Sequence, residues 1–249
     1  MPAVPPVTHR KGLADLTLST AVGGLAAFAV LAMVAAGRHG APFLADSALH
    51  SWSVHHRPEV AVATARGLTY TGTGVIPYLL VALAGLVVGR GARQRLLTGA
   101  AFIGCLALCQ ALRYGVMVLV ARPRPPMSGW ATHASGWSFP SGHTTTSAVT
   151  AGLLVIAVLL RAPRGRAAIA LGIGCWGVLV GLTRIYLGVH WFTDVIGGWL
   201  FCVCWLSLSV RLGLRFAPCD APRPPSAPDV YSTVDENSRG ALRRPKREA

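Results

Sequence analysis

Three groups of polar residues stand out in an otherwise apolar chain, and their types and spacing could do chemistry. The first is Arg122-Pro123-Arg124-Pro125-Pro126, the second Ser138-Phe139-Pro140-Ser141-Gly142-His143, and the third Thr183-Arg184 followed by His190 and Asp194. If a helix begins near Val189, the four-residue spacing of His190 and Asp194 puts the carboxylate one turn along the same face as the imidazole. A carboxylate there fixes the ring tautomer and raises the basicity of the nitrogen pointing into the site, as a histidine nucleophile requires. His143 arrives from a separate helix beside a Ser141-Gly142 turn, where backbone N–H groups and a helix N-terminus favour an anion. With Arg124 and Arg184 converging, the set offers positive charge, forked donors and two histidines, which describes phosphoryl transfer by covalent catalysis. Guanidinium groups take the place of metal ions in this reading. No Cys/His spacing resembles a metal site, and no cofactor is expected.

Each group alone has a plainer explanation. Arginines beside prolines commonly anchor a helix end at lipid headgroups, which would account for Arg122 and Arg124 by themselves. Pro-Ser-Gly before a helix is ordinary turn and capping chemistry. It is the combination that points to a site, because all three groups fall on one membrane face once the helices between them are placed.

Those helices follow from composition. Of 249 residues, 53% are hydrophobic and only 13% charged, with a mean hydropathy of +0.51. Soluble domains carry about 25% charged residues, so a soluble fold is disfavoured. Crossing ~30 Å of hydrocarbon takes roughly 17–25 residues. Six nearly uncharged stretches qualify: Leu16–Gly37, Gly67–Gly89, Leu96–Ala121 (broken only by Arg113), Thr144–Leu160, Ala167–Thr183 and Val195–Val210. The predicted fold is an all-α integral membrane bundle of six transmembrane helices. The first stretch is too long for the core of a secretory signal and reads as a retained anchor. Lys and Arg number 23 against 9 Asp and Glu, an excess that in so apolar a chain points to cytoplasmic loops and anionic headgroups rather than nucleic acid. With six spans, sixteen basic residues fall on the side of the termini and six on the other. The positive-inside rule then puts the termini in the cytoplasm and the three polar groups at the periplasm or cell exterior.

The rest of the chain is plainer. Residues 1–12 read as a cytoplasmic tail, 13–216 as the six-span domain, and 217–249, rich in Pro, Arg and Lys, as a disordered cytoplasmic tail. Asp46–Arg57, with Leu49, Trp52 and His56 roughly along one face, fits a short interfacial helix. Cys105, Cys109, Cys175, Cys202 and Cys204 fall inside spans and read as small buried apolar residues, while Cys219 lies in the tail.

The three groups together resemble the type 2 phosphatidic acid phosphatase (PAP2) superfamily, whose core is shared with vanadium haloperoxidases and acid phosphatases. That pattern is Lys, six residues, Arg-Pro; then Pro-Ser-Gly-His; then Ser-Arg, five residues, His, three residues, Asp. Here the second motif is Pro140-Ser141-Gly142-His143, the third runs from Thr183-Arg184 through His190 to Asp194 with Thr for Ser, and the first ends in Arg124-Pro125. The resemblance covers roughly residues 13–215. It implies that His190 attacks phosphorus, that Asp194 orients it, and that His143 serves as acid and then base. Arg124, Arg184, Ser141 and the Gly142 N–H would hold the phosphoryl oxygens. It also implies a membrane lipid phosphate as substrate: undecaprenyl pyrophosphate, phosphatidylglycerol phosphate, phosphatidate or diacylglycerol pyrophosphate. Transfer to an acceptor other than water and a non-enzymatic transporter or scaffold are the competing readings, and oligomeric state is left open. One departure is plain, since Met117 stands where the family has lysine. Arg113, one turn deeper, either substitutes for it or has a structural role.

Overall fold

The computed structural model describes residues 7–162 and 164–216. Within them the chain forms eight α-helices and a short 3-10 turn at Met127–Gly129, with no strand. The helices are α1 (Val7–Gly37), α2 (Leu44–His55), α3 (Glu59–Thr71), α4 (Val75–Val88), α5 (Ala92–Val120), α6 (Gly142–Arg161), α7 (Arg166–Tyr186) and α8 (Phe192–Phe216). Of these, α1, α5, α6, α7 and α8 are each long and apolar enough to cross a membrane, and α3 with α4 supplies a sixth crossing if taken as one bent span. The protein is a multi-pass membrane protein.

The second stretch is not one continuous helix. It is broken between Thr71 and Val75, and its two halves meet at 50°. Gly74 adopts φ +65°, a left-handed conformation that a helix cannot continue through and that glycine adopts without a Cβ penalty. The end of α3 is fastened to α7 by the Trp176 indole N–H, which donates to Thr71 Oγ1 at 2.9 Å.

The other boundaries move by a few residues at most ends. The first helix begins at Val7, so the boundary drawn at residue 12 lies within α1, and α8 begins at Phe192 rather than near Val189. Residues 217–249, including Cys219, lie outside the described residues. Cys109, Cys202 and Cys204 are buried, but Cys175 is exposed and Cys105 only half-buried, because α7 turns Cys175 away from the bundle.

Helix α6 is central. Half of its most apolar stretch is buried, against 17% in α1 and α5. It packs on α7, α4, α8 and α5, while α1 lies along α8 and α3 along α7. Val81, Leu106, Cys109, Val149, Leu153 and Cys202 form the principal apolar cluster between α4, α5, α6 and α8. Outward faces carry Leu16, Val22, Leu25 and Met33 on α1 and Leu96, Leu108, Leu112 and Leu119 on α5, all exposed. Since lipid tails are as apolar as leucine, such a bundle is held by close packing rather than by withdrawal from water. The crossing of α4 and α5 shows how close: a Cβ on Gly85 would lie 2.6 Å from the Gly99 Cα.

Candidate active site

The segment from Ala121 to Ser141 leaves α5, crosses the end of the bundle and enters α6. Ser138 fastens it, its N–H donating to the Arg122 carbonyl at 2.9 Å and its hydroxyl to the Pro123 carbonyl at 3.0 Å. The Phe139–Pro140 bond is cis, and Phe139 stacks on Phe28 of α1 with ring centroids 5.7 Å apart. Beyond it the Ser141 N–H donates to the Asp194 carbonyl at 3.0 Å, so the turn that opens α6 sits against the start of α8. All three polar groups of the sequence thereby meet at one end of the bundle.

Between them lies a cavity of about 650 Å³, whose walls include Arg113, Arg124, Gly142, His143, Arg184 and His190. His190 and Asp194 are not on one helix face. His190 lies in the bend before α8, and Gly188 makes that bend possible: it has φ +74°, and a Cβ on it would lie 2.2 Å from the Gly129 carbonyl oxygen. The pairing expected from the four-residue spacing still forms, with His190 Nδ1 3.3 Å from Asp194 Oδ2. On the other side of the ring, Arg124 Nη1 lies 2.9 Å from His190 Nε2. A guanidinium can only donate, so Nε2 carries a lone pair and the proton resides on Nδ1, facing the carboxylate. Burial, then the positive charges of Arg124 and Arg184, hold the His190 imidazole well below its usual range and therefore neutral.

Asp194 is fully buried, and both of its oxygens are engaged. The Trp191 N–H donates to Oδ2 at 2.8 Å and Arg122 Nη1 to Oδ1 at 2.6 Å. Arg122 is itself only 1% exposed, and Asp46 is 0% exposed. Arg122 Nη2 donates to Asp46 Oδ2 at 2.7 Å, and Nη1 also donates to Thr193 Oγ1 at 2.7 Å. Asp46 in turn accepts the Thr193 N–H at 2.8 Å and the Phe43 N–H at 3.1 Å, joining the first turns of α2 and α8. The headgroup-anchor reading of Arg122 is thus wrong. Asp46, whose segment read as an interfacial helix, is one residue the sequence did not mark. Its helix does keep Trp52 and His56 exposed, their rings stacked at 5.1 Å, while Asp46 and Ser53 face inward. Nothing in the spacing of Asp46 signals this, because its partner lies 76 positions away.

The remaining residues divide. Arg124 uses all its donors on the protein, binding the carbonyls of Gly136, Val189, Ser135 and Trp137 as well as His190. Arg184 is 2% exposed, with Nη1 donating to Thr69 Oγ1 at 3.1 Å and Nε without a partner. Arg113 turns into the cavity. Its Nε donates to Gln110 Oε1 at 3.1 Å, its Nη1 lies 3.5 Å from Met117 Sδ, and its Cζ would lie 3.4 Å from a Cβ on Gly142. Ser141 departs from expectation: it is fully buried, its hydroxyl accepts from Thr144 at 2.9 Å, and it does not line the cavity. Gln110, Thr146 and His133 line the cavity without having been singled out. A polar Gln110 three residues before Arg113 inside an apolar span was the available signal for the first.

Among the described residues no group of three or more His, Cys, Asp or Glu side chains is placed to hold a metal ion. The arrangement instead sets a neutral imidazole with a cavity-facing lone pair opposite a second imidazole, ringed by three guanidinium groups. That is a constellation for nucleophilic displacement on an anionic tetrahedral centre.

The sequence model of the PAP2 superfamily matches residues 98–217, which contain all three groups. Phosphatidylglycerophosphatase B of Bacillus subtilis is 29% identical over 159 residues, 62% of this chain and 76% of that protein. Decaprenylphosphoryl-5-phosphoribose phosphatase of Mycobacterium tuberculosis is 36% identical over 145 residues, 55% of this chain and 72% of that protein. The crystal structure of a transmembrane PAP2-type phosphatidylglycerolphosphate phosphatase from Bacillus subtilis superposes with a TM-score of 0.69 at 24% identity, covering 79% of this chain and 97% of that one. The chain belongs to the PAP2 superfamily, whose named relatives here are phosphatases of lipid phosphates.

Proposed function

We propose that this protein hydrolyses a lipid phosphate monoester or diphosphate at the outer face of the cytoplasmic membrane, through a phosphohistidine on His190. The observation that carries the reading is the His190 ring, held between Asp194 at Nδ1 and the cavity at Nε2, with His143 on the same cavity. In the first step the Nε2 lone pair forms the N–P bond as the P–O bond to the leaving group breaks, and His143 delivers a proton to that oxygen. In the second, His143 takes a proton from water, whose oxygen forms the new P–O bond as the N–P bond breaks, releasing inorganic phosphate. Arg124, Arg184 and Arg113, with the Gly142 N–H, hold the non-bridging oxygens as charge shifts. Ser141 shapes the turn that presents His143 rather than touching the phosphate.

The names of the relatives favour a phosphate carried on a glycerolipid or a polyprenyl lipid. Phosphatidylglycerol phosphate, phosphatidate, undecaprenyl pyrophosphate and diacylglycerol pyrophosphate are therefore the panel to assay. Purified protein in detergent should release phosphate from at least one of them in excess EDTA, since the cations of this site are arginines. His190→Ala should abolish release and the acid-labile phosphoenzyme trapped from labelled substrate. Full activity in His190→Ala, or strict dependence on added Mg²⁺, would overturn the reading. Phosphoryl transfer to an added lipid or sugar in place of release would assign a transferase.

A further inference from the structure

We propose that Asp46 is a positioning residue that acts on His190 through Arg122 and Asp194, by balancing the Arg122 charge so that the cluster beside the imidazole carries net negative charge. This inference rests on His190 as nucleophile. It concerns a residue outside the three motif groups, on a different helix.

The geometry sets the argument. Arg122 is shared between two carboxylates, with Nη2 on Asp46 at 2.7 Å and Nη1 on Asp194 at 2.6 Å, and all three side chains are buried. When Nε2 gives its lone pair to phosphorus, the ring keeps its Nδ1 proton and becomes cationic. Only negative charge beside Nδ1 stabilises that change. Arg122 and Asp194 alone would form a neutral pair, and their opposed charges would largely cancel at the ring. With Asp46 the trio carries one net negative charge, and the nearest carboxylate to the ring is the one 3.3 Å from it. In so dry a setting, little solvent screens the difference. The Asp46 bonds to the Thr193 N–H and hydroxyl also place it at the N-terminus of α8.

The test is kinetic, on full-length protein with whichever lipid phosphate the panel identifies. Asp46→Asn keeps the shape and removes the charge. It should lower kcat and the rate of phosphoenzyme formation by at least about tenfold, with KM within about twofold. The double variant Asp46→Asn/Arg122→Gln removes one charge of each sign and restores the net negative charge around Asp194. It should regain at least about fivefold of the lost kcat, whereas a merely structural pair predicts further loss. If Asp46→Asn does not accumulate as folded protein, the double variant decides. It keeps kcat within about tenfold of wild type if charge balance is the role, and loses about a hundredfold or more if the pair only holds the framework. Wild-type kcat in Asp46→Asn, a rise in KM alone, or a double variant no faster than the single one overturns the inference. Trapping the phosphoenzyme on wild type and losing it in His190→Ala is scored first, so a failure of the nucleophile is told apart from a failure of Asp46.

Discussion

The nitrogen with which His190 would attack accepts a hydrogen bond from Arg124 at 2.9 Å. For that lone pair to reach phosphorus, Arg124 must turn to the phosphoryl oxygens, whose negative charge makes them a better acceptor. The third cation is the residue whose role the sequence left open. Arg113 reaches the cavity by turning its guanidinium along α5 to within 3.5 Å of Met117 Sδ, the position where the family has lysine. Arg113→Met should therefore lower kcat/KM at least ~10-fold, a loss of ~1.4 kcal/mol in transition-state stabilisation, with unchanged expression. Adding Met117→Lys should recover much of it, and unchanged kinetics in the single variant would assign Arg113 to packing. At this scale the motif residues were legible, since His143, Arg184, His190 and Arg124 do line one cavity. Arg122 and Ser141 were not. An arginine beside a proline and a serine before a helix look the same in sequence whether they face a ligand, lipid or the interior. What decides is a partner such as Asp46 or Thr144.

Helices were legible wherever charge was absent over a long run, which is why five of the six expected spans correspond to single helices. The second, Gly67–Gly89, falls on the bent pair α3 and α4, since hydropathy counts residues and is blind to direction. Gly72-Thr73-Gly74 interrupts an apolar run without adding charge, and α3 and α4 part there by 50°. Thr73, in that break, lines the cavity. Helix α5, which carries Gln110 and Arg113, is in turn seated by its crossing with α4. Gly85→Ala tests that seat. In an open helix the change would gain up to about 1 kcal/mol from propensity. Here the added Cβ would meet Gly99 and Thr98 backbone atoms at 2.6 Å, which cannot swing aside. Overpacking of this kind costs about 1–3 kcal/mol, so the net sign is destabilising and Tm in detergent should fall. Gly104→Ala, on α5 with nothing within 4 Å, should leave Tm level or raise it.

For the molecule as a whole, the division of sixteen basic residues against six predicts cytoplasmic termini and an external active site. Reporter fusions at Arg93 and Arg164 should read cytoplasmic and one near His133, at the cavity wall, external. A cytoplasmic signal at His133 would move the reaction to the other leaflet. The pairing of α1 with α8 could not be foreseen from hydropathy, since either face of α1 is apolar enough to meet lipid. It depends on shape: a Cβ on Gly24 would lie 3.3 Å from the Cys204 backbone nitrogen, and Arg10 and Arg211 each donate to a carbonyl of the opposite helix. The end of α1 and the start of α8 are separated by about 155 residues of chain. At ribosomal rates of roughly 5–20 residues per second, α1 must wait on the order of ten to thirty seconds for its neighbour. During that interval the face of α1 notched at Gly24 lacks the helix it packs against in the finished bundle.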